Sequence, residues 1–307
     1  MKTLKRLSFL LLTTLFLTPF AACSDDDDDD YDVSTDALDL IGGDYRIAEI
    51  HESEIYNGES YDGDITYISY NDDNRVIETV TESVTETFTY NSAGQLTGYE
   101  YADEDYPVED YSVEINWSGS TATVTETEYG TTYESKYIFN SDMQLSKAEY
   151  YYTYNEQSIL FEYSDYTWSN NNLTKVVSYT SYTDYFDLVS AQKNKTSLLK
   201  PAVKIDPDQL LLKSSDEMSV YYEEAYVYDN KTNPLRVYPV APFITPALFS
   251  ENNITQMTET WIYDGEEDSE ITEYTYIYNS DDMPETQTST DLGYGSYVIT
   301  YVYEPVE

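Results

Sequence analysis

One pattern constrains the fold of this chain more than any other: an aromatic residue, then Asn, Asp or Ser, then a short polar turn, then an aliphatic residue. Tyr90-Asn91-Ser92-Ala93-Gly94-Gln95-Leu96 is its cleanest copy. Tyr70-Asn71-Asp72-Asp73-Asn74-Arg75-Val76, Phe139-Asn140-Ser141-Asp142-Met143-Gln144-Leu145, Trp168-Ser169-Asn170-Asn171-Asn172-Leu173 and Tyr278-Asn279-Ser280-Asp281-Asp282-Met283 are relatives of it. With Trp117-Ser118-Gly119-Ser120 included, the first polar residues fall at 71, 91, 118, 140, 169 and 279, and the first five stand 20–29 residues apart. That interval fits a strand, its connection and a second strand. Asn, Asp and Gly tolerate positive φ or cap a turn with a side chain, and the aliphatic residue opens the return strand, so each copy reads as a hairpin.

Alternation supports the same reading. Val113, Ile115 and Trp117 share one face of a strand, as do Tyr150, Tyr152 and Tyr154, and Tyr274, Tyr276 and Tyr278; these are the expected core side. The intervening positions, as in residues 81–87 and 121–128, carry Thr and Glu and read as a solvated face. The chain has 36 tyrosines against nine phenylalanines, a preference for the aromatic whose ring packs while its hydroxyl keeps a polar partner. The expected fold is all-β: an antiparallel meander of repeated hairpins forming a large curved sheet or open barrel, with full closure left undecided by the pattern.

One stretch departs from it. Between Phe186 and Val220 there is no tyrosine, and Lys193, Lys195, Lys200, Lys204 and Lys213 fall together. Residues 187–219 therefore read as a long insertion, a surface loop rather than a lid, with Asp206-Pro207 able to start a short helix.

The amino terminus has a different character. Lys2, Lys5 and Arg6 precede a largely apolar run, residues 7–20, that is too short for a spanning helix and has the form of a secretory signal. Phe20-Ala21-Ala22-Cys23 follows, and it resembles the lipobox of bacterial lipoproteins. The resemblance implies cleavage before Cys23 and a diacylglycerol on its sulfur. Cys23 is the one cysteine of the chain, so no disulfide within the chain can form. Ser24, Asp25, Asp26, Asp27 and Asp28, with two further aspartates behind them, resemble the surface-export signal of Bacteroidetes lipoproteins. The implied layout is a signal peptide over 1–22, a lipidated cysteine with an acidic tether over 23–41, and the repetitive β domain over 42–307. The implied location is the outer membrane, anchored through the lipid and facing the exterior.

Charge bounds the partners. The formal net charge is −44, and removal of the three cationic residues of the signal makes it −47, which opposes binding to nucleic acid or to an anionic bilayer surface. No cofactor and no metal is expected. His51 is the single histidine, which leaves a His-based zinc site unavailable and makes it the one residue any His-dependent triad would need; beside Glu52 it reads as a strand residue. Asn71 to Asn74 and Asn279 to Asp282 lack calcium-loop spacing and read as turn chemistry. With 59 acidic residues, a carboxylate pair of the kind a glycosidase uses singles out no position.

A last resemblance is carried by Tyr228-Asp229-Asn230-Lys231-Thr232-Asn233-Pro234-Leu235, a Pro-rich apolar stretch, and Ser250-Glu251-Asn252-Asn253-Ile254-Thr255. This segment is similar to one in Bacteroidetes surface lipoproteins built around a domain of unknown function. The resemblance marks Tyr228, Asp229, Asn233, Pro234, Asn252 and Asn253 and implies an all-β fold without assigned activity. The turns are also distantly similar to YD repeats. The expected function is a non-catalytic surface binding or adhesion module whose partner is a glycan or a surface protein. A structural envelope protein without a dedicated ligand is the alternative, with a glycoside hydrolase less favoured.

Overall fold

The computed structural model describes residues 45–56, 59–107, 111–128, 131–154, 157–181, 218–263, 265–291 and 295–306. Sixteen strands follow one another: β1 (Tyr45–Tyr56), β2 (Glu59–Tyr70), β3 (Val76–Thr81), β4 (Val84–Tyr90), β5 (Leu96–Asp103), β6 (Tyr111–Ser118), β7 (Thr121–Glu128) and β8 (Thr131–Phe139) form the first half. The second half is β9 (Leu145–Tyr154), β10 (Gln157–Ser169), β11 (Asn172–Thr180), β12 (Ser219–Thr232), β13 (Asn252–Tyr263), β14 (Glu266–Tyr278), β15 (Pro284–Asp291) and β16 (Gly295–Pro305). Every strand pairs antiparallel with its sequence neighbours, and β1 pairs with β16 from Tyr45↔Pro305 to Ile55↔Ser296, so the meander closes into a barrel. Closure removes both sheet edges that an open meander would present.

An antiparallel closed meander sorts its connections. Those leading from even to odd strands share one rim, and those from odd to even share the other. All six sequence turns, at 71, 91, 118, 140, 169 and 279, fall on the first rim, as does the entry of the chain into β1. In four of them one asparagine caps the turn. The side-chain oxygen of Asn71 accepts from the backbone N–H of Asp73 and Arg75, Asn91 from Ala93 and Gln95, Asn140 from Asp142 and Gln144, and Asn279 from Asp281 and Met283, at 2.9–3.0 Å. The residue two positions before the return strand's first residue then adopts positive φ: Asn74 at 56°, Gly94 at 82°, Met143 at 54° and Asp282 at 62°.

The aromatic that precedes each turn has a second task. Near the end of each even strand a ring N–H or O–H reaches the backbone carbonyl at the start of the preceding odd strand: Tyr70 to Ile47, Tyr90 to Val76, Trp117 to Leu96, Trp168 to Leu145, Tyr228 to Leu173, Tyr276 to Ile254 and Tyr303 to Pro284, at 2.5–2.9 Å. These bonds join the two free ends of each hairpin around the rim. The corresponding residue of β8 is Phe139, which has no donor and instead packs against Trp117 and, edge-on, Phe243. The excess of tyrosine over phenylalanine thus has a local cause: a half-buried ring here must also donate.

The same rim is filled from within. Residues 233–251, between β12 and β13, fold back into the barrel as a 3-10 turn (Pro234–Val237), one helical turn (Ala241–Ile244) and a second 3-10 turn (Pro246–Phe249). Phe243 packs edge-on against Trp117, Tyr137 and Phe139. Val240 and Ile244 join the large cluster of Phe88, Leu96, Tyr99, Val113 and Ile115. Leu235 packs with Ile47, Ile50, Ile299 and Tyr301, and Ala247 with Leu173, Val176 and Tyr226, so this plug touches the wall around its circumference.

The expected faces hold for Val113, Ile115, Tyr150 and Tyr152, which are buried, but the assignment of Thr and Glu in 81–87 to a solvated face is corrected. Thr79, Thr81 and Glu86 point inward and are buried, because the interior supplies partners: Tyr99 and Thr79 donate to Glu86 at 2.6 and 2.7 Å. The outer wall is polar where that expectation placed it, with Glu100, Ser112, Glu114 and Asn116 exposed, and Lys147–Glu149 and Lys175–Glu223 paired at 2.8 and 2.7 Å. A lipid-facing wall requires an apolar band, each Lys or Arg there costing about 2–4 kcal/mol at mid-bilayer and each Glu less. At these positions the outer wall is charged and polar.

Candidate functional site

The residues marked by the sequence resemblance come together, and what they form is a clasp for the plug. Asn233 caps the first 3-10 turn through Leu235 N–H at 3.0 Å and donates to the carbonyls of Leu248 and Ser250 at 2.8 and 3.2 Å, tying the plug's two ends. Pro234 occupies the first helical position, where a missing N–H costs nothing. Asn253 donates to the carbonyls of Lys231 and Thr232 at 3.2 and 3.1 Å, and its own N–H reaches Asp229 at 3.2 Å. Asp229 also accepts from Tyr278, while Asn252 exchanges bonds with Asn172 at 2.9 and 3.0 Å. Tyr228 donates to Leu173 and accepts from Ser250 at 3.0 Å. With these partners the six residues hold structure at the plugged rim. Cys23, Ser24, Asp25, Asp26, Asp27, Asp28 and the lysines of the insertion lie outside the described residues.

A second set of polar groups was missed in the sequence. Glu52, Glu86, Glu162 and Glu224 all point into the barrel and are buried. Tyr238 of the plug, besides Tyr99, donates to Glu86; Tyr221 donates to Glu162; Tyr226 donates to Glu224. The hydroxyl of Tyr222 stands 2.8 Å from Glu224 and 2.6 Å from Glu259, with one proton for two acceptors. Burial pushes the Glu224 carboxyl up to about 7, the neighbouring Glu259 adds to this, and the bonds from Tyr226 and Tyr222 oppose it. A neutral Glu224 supplies the second proton that this trio needs. Glu52 is likewise raised to about 7 by burial, with Asp64 and Glu54 adding and a hydrogen bond from Tyr297 opposing. The legible signal was phase: Glu86 alternates with Phe88, and Glu224 sits between Tyr222 and Tyr226, each a glutamate in step with inward aromatics.

His51, the sole histidine, lies on β1 with Nε2 2.6 Å from Glu49. Among the described residues no three His, Cys, Asp or Glu side chains gather at metal-holding spacing.

The opposite rim is different. Its connections leave Tyr56, Tyr61, Tyr106 and Tyr263 at 53, 51, 43 and 42% exposure, four of the six exposed tyrosines among the described residues. Residues 59–62 of β2 and 266–271 of β14 are exposed on both faces, so those strands rise above the packed core.

A sixteen-stranded barrel stoppered at one end by its own chain is the class that fold and clasp define among the described residues. Neither a protein-family model nor a curated protein matches the sequence. Among solved structures, the chain is similar to a porin-like protein from Bacteroides uniformis (16% identity, 84% of this chain and 96% of that one, TM-score 0.35) and to a porin-like protein from Bacteroides vulgatus (10% identity, 85% and 99%, TM-score 0.36). It is also similar to part of the TcdB2-TccC3 toxin structure (10% identity, 76% of this chain and 10% of that one, TM-score 0.27). At these values no activity transfers to this chain.

Proposed function

We propose that the protein is a lipid-anchored, surface-displayed binding or adhesion module without catalytic activity, held by Cys23 on the side of its plugged end and presenting the opposite rim outward. The observation that carries this reading is that the chain enters β1 at the plugged rim, at Tyr45, whereas Tyr56, Tyr61, Tyr106 and Tyr263 stand on the opposite rim. A tether attached before Tyr45 orients the barrel with the exposed aromatics farthest from the anchor. Exposed tyrosine rings beside carboxylates, such as Tyr61 with its hydroxyl 3.0 Å from Glu59, suit the apolar faces and hydroxyls of sugars. The buried glutamates fit a structural role, because Glu224 at 2% exposure offers no face to a substrate.

A glycan array probed with the mature chain carrying Cys23→Ser tests the ligand. Binding that is lost in Tyr56→Ala/Tyr61→Ala supports the reading; binding unaffected by that pair, or silence on every glycan, refutes the sugar version. Fractionation tests the anchor: the Cys23→Ala chain leaves the envelope fraction, and continued retention defeats the lipid assignment.

A further inference from the structure

The rim opposite the plug carries a feature that the tyrosines do not explain. Strand β2 pairs with β1 from Glu59 onward, but with β3 only from Thr66↔Thr81. Residues 59–65 thus present a bare backbone edge, flanked among the described residues by no strand, over a step in the wall of about 20 Å at roughly 3.3 Å per residue. An edge of this kind is a template for an added strand. β14 has a comparable edge over residues 266–272, since its pairing with β15 begins at Glu273↔Thr290. Both edges carry acidic side chains, which by itself is protection against unwanted pairing.

The β2 edge differs from the β14 edge in what stands behind it. Where β1 and β2 shift register between His51/Ile65 and Ser53/Asp62, Glu52 turns inward at 7% exposure. Tyr297 hydrogen-bonds this carboxyl, yet its Oε2 has no hydrogen-bond partner. The charged groups acting on it, Asp64 and Glu54, are both acidic. A buried carboxylate oxygen left unpaired beside two like charges is costly, and a donor, above all a cationic one, removes that cost. The strands also approach closely here: a side chain at Gly63 would meet the Glu52 carbonyl oxygen at 2.9 Å, so glycine keeps β2 against β1 at this point.

The two observations specify one partner. A bare edge takes extended backbone, and an orphan carboxylate among acids takes an ammonium or guanidinium. We propose that residues 59–65 of β2 are a docking edge for an extended basic peptide segment, which adds as a strand and places a Lys or Arg side chain at Glu52. This site is independent of the sugar reading.

The test is fluorescence anisotropy with the full chain and labelled octapeptides of alternating Thr-Lys, Thr-Glu and Thr-Ser. The Thr-Lys peptide binds; Glu52→Gln and, separately, Asp64→Asn weaken it by tenfold or more; Asp268→Asn/Glu270→Gln on the β14 edge stays within twofold. Gln at position 52 keeps the shape and removes the negative charge, with an amide NH2 in place of one oxygen, and a thermal melt checks that the variant folds. Equal affinity of Glu52→Gln and the parent, equal loss in the β14 pair, equal binding of Thr-Glu, or displacement of Thr-Lys by a neutral oligosaccharide would each overturn the proposal.

Discussion

The two ends of the barrel are made from the same strands and solve opposite problems. At the plugged end four of the turns are capped by an asparagine, hairpin ends are stapled by aromatic donors, and residues 233–251 fill the lumen. At the opposite end β2 outruns β3 and β14 outruns β15, acidic side chains face water, and the buried Glu52 lies beside the β2 step. Capped turns and plug are concentrated where the chain enters, and the unpartnered Glu52 Oε2 lies toward the opposite rim. The comparison teaches that repetition in this sequence encodes one rim only.

The largest expected effect lies in the plug. Phe243→Ala removes a ring held by Trp117, Tyr137 and Phe139 and lowers unfolding free energy by about 3–5 kcal/mol, measured as a shift in the denaturant midpoint. A value under 1 kcal/mol would show that the plug is an accessory and erase the contrast between the ends.

Next come the buried acids. Glu52 and Glu224 have folded pKa values near 7 against 4.5 in water, so the folded state binds more protons than the unfolded one between those values. Stability is therefore intact below pH 4.5, falls as pH rises, and is reduced fully above about 7. Each group contributes at most about 3 kcal/mol to that fall, at 1.36 kcal/mol per pKa unit. Glu52→Gln/Glu224→Gln flattens the melting temperature between pH 5 and 8.5; an unchanged slope would assign the pH dependence to overall charge repulsion.

Smaller losses belong to the rim bonds. Tyr90→Phe keeps the ring and deletes the donor to Val76, for about 1 kcal/mol, and Asn91→Ala costs about the same through two lost bonds. Smallest of all, Tyr56→Ala and Tyr61→Ala change stability by less than about 0.5 kcal/mol, because half of each side chain is already in water. A large destabilisation there would mean that the opposite rim, too, is built for rigidity.

How much was legible follows from these contrasts. The hairpin turns could be read because cap, positive-φ residue and return aliphatic lie within five positions, as in Asn91, Gly94 and Leu96. Closure could not, because Tyr45↔Pro305 joins the two ends of the described chain with no local signal. The clasp was visible as a motif at Asn233 and Asn253, but its purpose was not, since its partners Asn172, Leu173 and Tyr278 come from other strands. The buried glutamates were hidden by abundance: in a chain with 59 acidic residues, four that face inward differ from the rest only in phase.

The seam between β1 and β16 also orders events in time. As the strands assemble, β1 finds a local partner in β2 but depends on distant β16 before its other edge is satisfied. Until then a nearly complete sheet carries two long unsatisfied borders, the condition under which nascent β proteins join their neighbours instead of themselves. Strand β16 acts as a latch, and without it the other fifteen strands are left as a ribbon where a finished cylinder was due.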